Sequence, residues 1–189
     1  MADASDTPSA RALLIFAHPA LERGRINPAM AEAAARLPGL SVHDLYEAYP
    51  DFTIDVRAEQ KRLLKHDVII LQFPLYWFSI PSLLKEWMDV VWVRGFAYGD
   101  GARFAGRTLM CAVSTGGNRD AYGPDGRYLY PMEQFLAPLA QAARYCGLSW
   151  AEPFVLHGNE APDAAALAAG VERYQRRLSG LLGVEGAPS

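Results

Sequence analysis

The feature that most constrains the fold of this chain is a series of short, uninterrupted apolar runs. The clearest are Ala12–Phe16, Val68–Leu71 and Thr108–Val113. An apolar run without polar alternation is typical of a strand that is buried on both faces, as in a parallel sheet. Together with the weaker runs Ser41–Leu45 and Trp150–Leu156, the sequence predicts five strands.

Helical patterns separate the predicted strands. Asn27 is expected to cap a helix in which Pro28 takes the first position, and Asp55 is expected to cap another. The last helix is marked by apolar residues three or four positions apart, namely Leu167, Val171, Tyr174, Leu178 and Leu181. Strands that alternate with helices predict an α/β fold with a parallel sheet, right-handed crossovers and helices on both faces.

Composition bounds the number of domains and the class of partner. With 189 residues, 51% of them hydrophobic, the chain is expected to form one domain over 11–183 between disordered tails at 1–10 and 184–189. The formal net charge of -3 provides no field that would attract nucleic acid or an anionic membrane. No signal peptide and no apolar stretch of ~18 residues is found, so a cytoplasmic protein is expected.

Disulfide, metal and several catalytic motifs are not indicated. Cys111 and Cys146 lie in apolar stretches and are interpreted as reduced core residues. The four histidines show neither HxxxH nor HExxH spacing, so no metal site is expected. The sequence contains no GxxxxGK[ST] loop and no GxSxG elbow. Gly99 and Gly101 lack the third glycine and the preceding strand of a dinucleotide fingerprint.

Three loops of unusual composition follow predicted strands: His18–Asn27, Pro74–Phe78 and Ser114–Gly117. In an open parallel sheet, ligands bind beyond the carboxyl ends of the strands, near the point where the strand order reverses. Because all three loops are predicted at that edge, we expect them to form one ligand site.

The first of these loops suits a phosphate group. It ends at a predicted helix N-terminus, where unpaired backbone N–H groups and the helix dipole favour an anion. His18, Arg25 and Asn27 add side-chain donors. The alternative is that Asn27 only caps the helix and His18 only ends a strand.

The other two loops suit a planar heterocycle. Tyr76, Trp77 and Phe78 offer flat faces at the end of the third strand, although an aromatic run is more often core or interface. Ser114 to Gly117 combines two hydroxyls that bind polar ring edges with two glycines that permit close backbone approach. Paired glycines also form plain turns, so neither loop is specific alone.

Four motifs stand out along the chain: Phe16-Ala17-His18-Pro19, Pro74 to Pro81, Leu84-Lys85-Glu86-Trp87 and Thr115-Gly116-Gly117. Together they resemble the NAD(P)H:quinone oxidoreductase family of flavodoxin-like proteins, over about Leu13 to Leu182. Two further segments, Leu45 to Asp55 and Arg94 to Gly99, resemble the bacterial branch that includes ancillary proteins of glutathione-gated potassium efflux systems.

The resemblance implies a flavodoxin-like, doubly wound five-stranded parallel sheet in the order 2-1-3-4-5. It also implies a homodimer and bound FMN with NADH or NADPH as co-substrate; FAD is less favoured because the chain lacks an additional C-terminal region that some members use around an adenosine. The cofactor-binding residues that it implies are His18, Arg25, Ile26, Asn27, Pro74, Leu75, Tyr76, Trp77, Phe78, Ser114, Thr115, Gly116, Gly117 and Tyr122.

Tyr122 and Tyr128 are the catalytic candidates that the resemblance provides. Tyr122 matches a family tyrosine that follows the paired glycines, and its neutral phenol donates to an oxygen that becomes negative as hydride arrives. The alternative for Tyr122 is loop packing. At Tyr128 the well-known quinone reductases carry a histidine; a phenol does not become a cation on taking up a proton, and Arg127 is the candidate to compensate.

Three functions remain open. The first is two-electron reduction of a quinone by NAD(P)H through the flavin. The second is a regulatory subunit that docks on a membrane potassium-efflux transporter, which would place the protein at the inner face of the membrane. The third is a flavodoxin-type electron carrier; it ranks last, because His18–Asn27 contains no Ser or Thr for a phosphate loop of that type.

Overall fold

The computed structural model describes residues 10–20, 24–158 and 163–184. The tails expected to be disordered therefore lie outside the described residues, apart from Ala10 and Val184. Part of the first predicted loop, residues 21–23, lies outside them as well.

The chain forms one parallel sheet. Its strands are β1 (Ala12–Phe16), β2 (Leu40–Asp44), β3 (Val68–Pro74), β4 (Thr108–Thr115), β5 (Ser149–Trp150) and β6 (Phe154–His157). The order is β2-β1-β3-β4-β5, with β6 also paired to β4. Every pairing is parallel, so the doubly wound, flavodoxin-like order 2-1-3-4-5 is confirmed.

The fifth strand position differs from the single strand predicted over Trp150–Leu156, because the ladder is interrupted between β5 and β6. Trp150 pairs with Leu109 and Phe154 pairs with Ala112. Between these two pairs, the chain that carries β5 and β6 has one residue more than β4 has. This additional residue forms a β-bulge. Pro153 lies in the interruption, and proline has no N–H to donate to a ladder.

Helices cover both faces of the sheet, as predicted. They are α1 (Ile26–Ala35), α2 (Leu45–Ala48), α3 (Val56–Leu64), α4 (Ser82–Val91), α5 (Met132–Tyr145) and α6 (Ala164–Leu182). Leu14 and its neighbours on one face pack against α1 and α6. Leu13 and Ile15 on the other face pack with residues of α3, α4 and α5. Alternation of side chains across a strand separates the two layers.

Two helix starts show where local signals succeed and fail. Asp55 caps α3, accepting a hydrogen bond from the Ala58 N–H at 3.0 Å. The prediction that Asn27 caps α1 was wrong, because the helix begins at Ile26 and Asn27 lies in its first turn with a buried side chain. The short helix α2 was not predicted; Asp44 caps it, accepting from the N–H groups of Tyr46 and Glu47.

Within the three described ranges, no helix combines the length and the apolar character needed to cross a membrane.

A buried carboxylate joins β2, α3 and α4. Glu59 is fully buried, and its oxygens accept hydrogen bonds from the Tyr49 hydroxyl at 2.8 Å and the Trp87 indole at 2.9 Å. His43 Nε2 lies 3.0 Å from the same carboxylate. Burial alone would raise the pKa of Glu59, but these partners outweigh it and lower the pKa to about 2.

Replacing this carboxylate will weaken the fold in a pH-dependent way. A carboxyl group whose pKa falls on folding stabilises the folded state fully above its ordinary pKa of 4.5, and this contribution is lost as the pH falls towards 2. Glu59→Gln should therefore cost roughly 3 kcal/mol of unfolding free energy at pH 7, measured in urea, and less at pH 3. The exposed Glu86→Gln serves as the control, with a change within about 0.5 kcal/mol. A penalty for Glu59→Gln that does not change with pH would contradict this reading.

Candidate functional site

The carboxyl ends of four strand segments meet at one edge of the sheet. In the register, Pro74 pairs with Ser114, and Thr115 pairs with His157. The ladder continues past the strands, since the Ala17 N–H donates to Gln72 O and the Leu75 N–H donates to Ser114 O, both at 2.9 Å. The segments that follow Ala17, Phe73 and Val113 therefore leave the sheet side by side.

The start of α1 has the properties of an anion site. Arg25 is its N-cap residue, and the Arg25 side chain makes no capping hydrogen bond to the first turn. The first N–H groups of a helix lack partners within the helix and carry the positive end of its dipole. Gly158, at the end of β6, packs against this start so closely that a Cβ there would lie 2.3 Å from Ile26 Cδ1.

His18 lies between the start of α1 and the aromatic turn. Its side chain is buried, and Nδ1 accepts a hydrogen bond from the Ala20 N–H at 3.2 Å. A Cβ on Gly24 would lie 2.5 Å from His18 Nε2, so the first loop requires glycine where it crosses the imidazole. The Tyr76 ring meets His18 edge to face at 6.2 Å.

Asn27 belongs to a buried polar network rather than to a cap. Its Nδ2 donates to Ser114 Oγ at 2.5 Å, and Gln72 Nε2 donates to the Asn27 backbone oxygen at 2.8 Å. Tyr174, from α6, completes the network by donating its hydroxyl to Gln72 Oε1 at 2.9 Å. All four side chains are buried, so the network fixes the first turn of α1 against β3 and β4.

The aromatic segment forms a strained two-residue turn. Tyr76 and Ser79 exchange both backbone hydrogen bonds, at 3.1 and 3.0 Å. Between them, Trp77 and Phe78 have φ values of 49° and 62°, as in a type I′ turn, which normally takes Asn or Gly. A left-handed backbone costs a bulky residue roughly 1–2 kcal/mol. Trp77 is nevertheless 93% exposed, so its side chain regains little of this cost by packing within the chain.

The glycine turn after β4 is held by a hydroxyl and by two phenol rings. Thr115 Oγ1 donates to Gly117 O at 2.8 Å, which closes the turn. A Cβ on Gly117 would lie 2.7 Å from Tyr128 Cε2 and 3.3 Å from Tyr122 Cε2, so both rings require glycine here. A Cβ on Gly116 would contact nothing within 4 Å. The backbone is therefore accessible to a ligand at Gly116, whereas at Gly117 the two phenol rings cover it.

These turns border a cleft of about 910 Å³. The predicted residues that line it are Leu75, Trp77, Phe78, Gly116, Gly117, Tyr122 and Tyr128. Pro74, Ser114 and Thr115 are buried at the ends of their strands. His18 follows β1, and Arg25, Ile26 and Asn27 lie at the start of α1, outside the lining of the cleft. The volume lies within the range of ~300–1,000 Å³ typical of small-molecule sites.

Comparisons with known proteins show the family to which the chain belongs. A sequence profile described as the flavodoxin-like fold matches residues 10–178. This chain belongs to the flavodoxin-like family. The ancillary protein KefG of a glutathione-regulated potassium-efflux system, from Cronobacter sakazakii, is 41% identical over 172 residues, which cover 90% of this chain and 94% of KefG.

Two solved structures of similar proteins superpose on nearly the whole chain. General stress protein 14 from Treponema denticola, solved in complex with FMN, is 35% identical with a TM-score of 0.82, and the match covers 92% of this chain and 98% of that one. An NADPH-quinone reductase from P. pentosaceus is 30% identical with a TM-score of 0.81, covering 88% and 96%. The resemblance stated from the sequence motifs is confirmed.

In this flavodoxin-like chain, Tyr122 is the phenol placed between the cleft and the glycine turn. Burial raises the pKa of Tyr122, a hydrogen bond with Thr115 lowers it in part, and the nearby Tyr128 raises it again. The Tyr122 phenol is thus protonated at neutral pH and available as a donor. Its ring lies 5.0 Å from that of Tyr128, which contacts Phe78 at 5.1 Å.

Several residues of the site were missed from the sequence. Asn118, Asp120, Ala121 and Asp125 line the cleft, and Gln72, Tyr174 and His157 lie behind it. Gln72 directly follows the predicted run Val68–Leu71 and lies within β3, where a fully buried amide requires partners. Tyr174 was assigned to the apolar stripe of the last helix, where it lies, but its hydroxyl was given no role. His157 follows the predicted fifth strand at the edge where the other site residues lie. Among the described residues, no three His, Cys, Asp or Glu side chains are grouped to bind a metal.

The buried network predicts a large penalty for removing its central amide. In Gln72→Leu, the Tyr174 hydroxyl and the Asn27 oxygens lose a buried partner, and each unsatisfied group costs about 1–3 kcal/mol. The free energy of unfolding in urea should fall by roughly 2–4 kcal/mol. Tyr174→Phe, the matched control, leaves only the Gln72 oxygen unsatisfied and should cost about half as much. Equal and small losses in both variants would show that the network does not hold the start of α1.

Proposed function

We propose that this protein is a flavin-dependent NAD(P)H:quinone oxidoreductase that binds FMN. The observation that carries the proposal is that the aromatic turn and the glycine turn border one cleft at the carboxyl edge of the sheet, while the Asn27–Ser114 hydrogen bond joins the start of α1 to the same edge. An anion site beside a cleft lined with aromatic rings suits a phosphate joined to a planar ring. Membership of the flavodoxin-like family, with an FMN complex among its members, supports the same cofactor.

The residues present fit FMN at both ends. Arg25 and the backbone N–H groups of Ile26 and Asn27 would hold the phosphate, with His18 beside them. The ring would lie against Leu75 to Phe78, and its polar edge would face Ser114 to Gly117. Gly116 supports this placement, because its backbone borders the cleft with no neighbour in the way of a flat ligand.

Bound FMN would accept a hydride from NADH or NADPH and pass it to a quinone, the two substrates occupying the cleft in turn. The residues of the chain would bind, orient and donate protons. Tyr122 would donate a hydrogen bond to an oxygen on which negative charge develops, because its raised pKa keeps the phenol protonated at neutral pH. Tyr128 would pack beside it, and the Arg127 guanidinium, 5.9 Å from the Tyr128 ring centroid, would bring a positive charge to the cleft.

We also propose that the active form is a homodimer. The cleft is bordered by Trp77, which is 93% exposed, and the nearby Leu129 and Tyr130 are 63% and 54% exposed. Exposed large apolar side chains grouped at a cleft are typical of an interaction site. A second copy placed over the mouth of the cleft would bury them and would exclude water from the reacting atoms.

A regulatory role on a membrane transporter is the second candidate. The observation that favours it is the 41% identity to KefG, a potassium-efflux ancillary protein, over nearly the whole of both chains. In this role the folded body would bind the transporter at the inner face of the membrane, and catalysis would be secondary.

The experiment that tests the leading function is turnover by the FMN-loaded protein. With NADPH and a benzoquinone, rapid quinone-dependent oxidation of NADPH is expected, and Tyr122→Phe should lower kcat by roughly 10²-fold, since it removes one aimed donor. The control is Tyr46→Phe, which removes a buried hydroxyl that has no partner among the described residues. A colourless protein after loading, or no oxidation with any quinone, would refute the enzymatic function. Unaltered potassium efflux in cells that lack the protein would count against the regulatory one.

A further inference from the structure

A second cavity of about 310 Å³ shares Tyr122 with the main cleft. Arg119, Glu133 and Glu152 line it, and their side chains are exposed, so the cavity is polar at its mouth. Tyr122 lines both spaces, whereas His157 lines only the second. Tyr122 is therefore the side chain that borders both spaces, and His157 lies next to it in the second cavity.

His157 owes its position to the bulge before β6. The additional residue between β5 and β6 sets the register that pairs His157 with Thr115, and a shift by one residue would turn the imidazole to the opposite face. His157 Nδ1 lies 3.1 Å from Thr115 Oγ1, and the imidazole centroid lies 5.3 Å from that of Tyr122. The imidazole is half-buried, so it contacts both the interior and the second cavity.

The hydrogen bonds of Thr115 determine which imidazole nitrogen carries the proton. A threonine hydroxyl has one proton, and Thr115 donates it to Gly117 O at 2.8 Å. Its oxygen must then accept from His157, so Nδ1 carries the hydrogen and the neutral ring keeps its lone pair on Nε2. Thr115 also lowers the pKa of Tyr122, as a hydroxyl does when it turns to donate to a phenolate, and the Tyr122 ring packs against the imidazole. Tyr122, Thr115 and His157 thus form one connected chain of groups.

We propose that His157 relays protons between the second cavity and Tyr122 during turnover, acting as a positioning residue behind the catalytic phenol. The inference rests on the proposed function. Reduction of a quinone by NAD(P)H moves a hydride, which is two electrons and one proton, and takes one further proton from solvent to form the hydroquinone. A substrate stacked in the main cleft excludes water from that side. The Tyr122 phenol, having given its proton, would regain one through Thr115 and His157.

The charges around His157 favour a neutral ring that exchanges protons readily. Burial lowers its pKa, and the positive charge of Arg119 lowers it further. The start of α5 at Met132 brings the positive end of a helix dipole to the same cavity, which acts in the same direction. Glu133 and Glu152 oppose these effects from the cavity wall, while Tyr122 and Thr115 are uncharged neighbours.

The decisive variant is His157→Asn, whose side-chain N–H can still donate to Thr115 but does not titrate. A merely structural His157 predicts that the variant behaves like the parent. The relay predicts that FMN affinity stays within about twofold while kcat, at saturating NADPH and benzoquinone, falls by roughly tenfold or more. In the parent, kcat should decline as the pH rises through the pKa of His157, which burial and Arg119 hold below the ordinary 6.5, because less of the imidazole is then protonated; the variant should lose this dependence. His66→Asn, which removes an imidazole bonded to the Arg62 carbonyl in α3, is the matched control.

A readout on flavin-free, full-length protein separates the relay from the proposed function. Nitrogen-15 shifts of the imidazoles should show His157 with hydrogen on Nδ1, and Arg119→Gln should raise its pKa, since a nearby cation is removed. Hydrogen on Nε2 instead, or an unchanged kcat and pH profile in His157→Asn, would overturn the relay. If the tautomer is as expected but the FMN-loaded protein reduces no quinone, the hydrogen-bond geometry around His157 stands and the enzymatic function is refuted.

Discussion

A single buried amide holds the candidate site together. Gln72 lies in β3, the central strand, and donates to Asn27 at the start of α1 while accepting from Tyr174 of α6. Asn27 in turn donates to Ser114 at the end of β4. These hydrogen bonds are direct, so they couple the position of one helix start to the positions of two strand ends. Both the start of α1 and the strand end that leads into the glycine turn are held by this anchor.

The two ends of the site are stabilised differently. The start of α1 is fixed by the buried network, whereas the aromatic turn carries unfavourable backbone conformations at Trp77 and Phe78. Strain of this kind persists where the surrounding structure enforces it, and it is common at ligand sites. Here β3 and α4 fix the ends of the turn, and the strain sets the aromatic side chains at the border of the cleft. A planar ligand and a partner surface would supply the packing that Trp77 lacks within the chain.

Much of the fold could be predicted from local patterns. Apolar runs located β1, β3 and β4, and the three- and four-residue spacing located α6, because burial on two faces or on one stripe leaves a clear periodicity. The strand order followed from family motifs rather than from the pattern. The interruption of the fifth strand could not be predicted, since one added residue around Pro153 changes register without changing hydrophobicity.

The parts of the site that depend on tertiary contacts were the hardest to predict. Asn27 looked like a helix cap because its local sequence permits one, but Ser114 and Gln72, distant in sequence, compete for its side chain and backbone. His157 reaches Thr115 only through the bulge, so no spacing along the chain indicates their contact. By contrast, the turns at 74–78 and 114–117 leave strands whose edge was predicted, and the structure places them side by side.

The most direct test of the account compares FMN with riboflavin binding to the same flavin-free protein by calorimetry. If the phosphate lies at the start of α1 and the ring in the cleft, both ligands bind competitively, and FMN binds about 10²-fold more tightly, a difference of roughly 3 kcal/mol. Equal affinities, or riboflavin that does not compete with FMN, would contradict the claim that one edge of the sheet holds both ends of the cofactor.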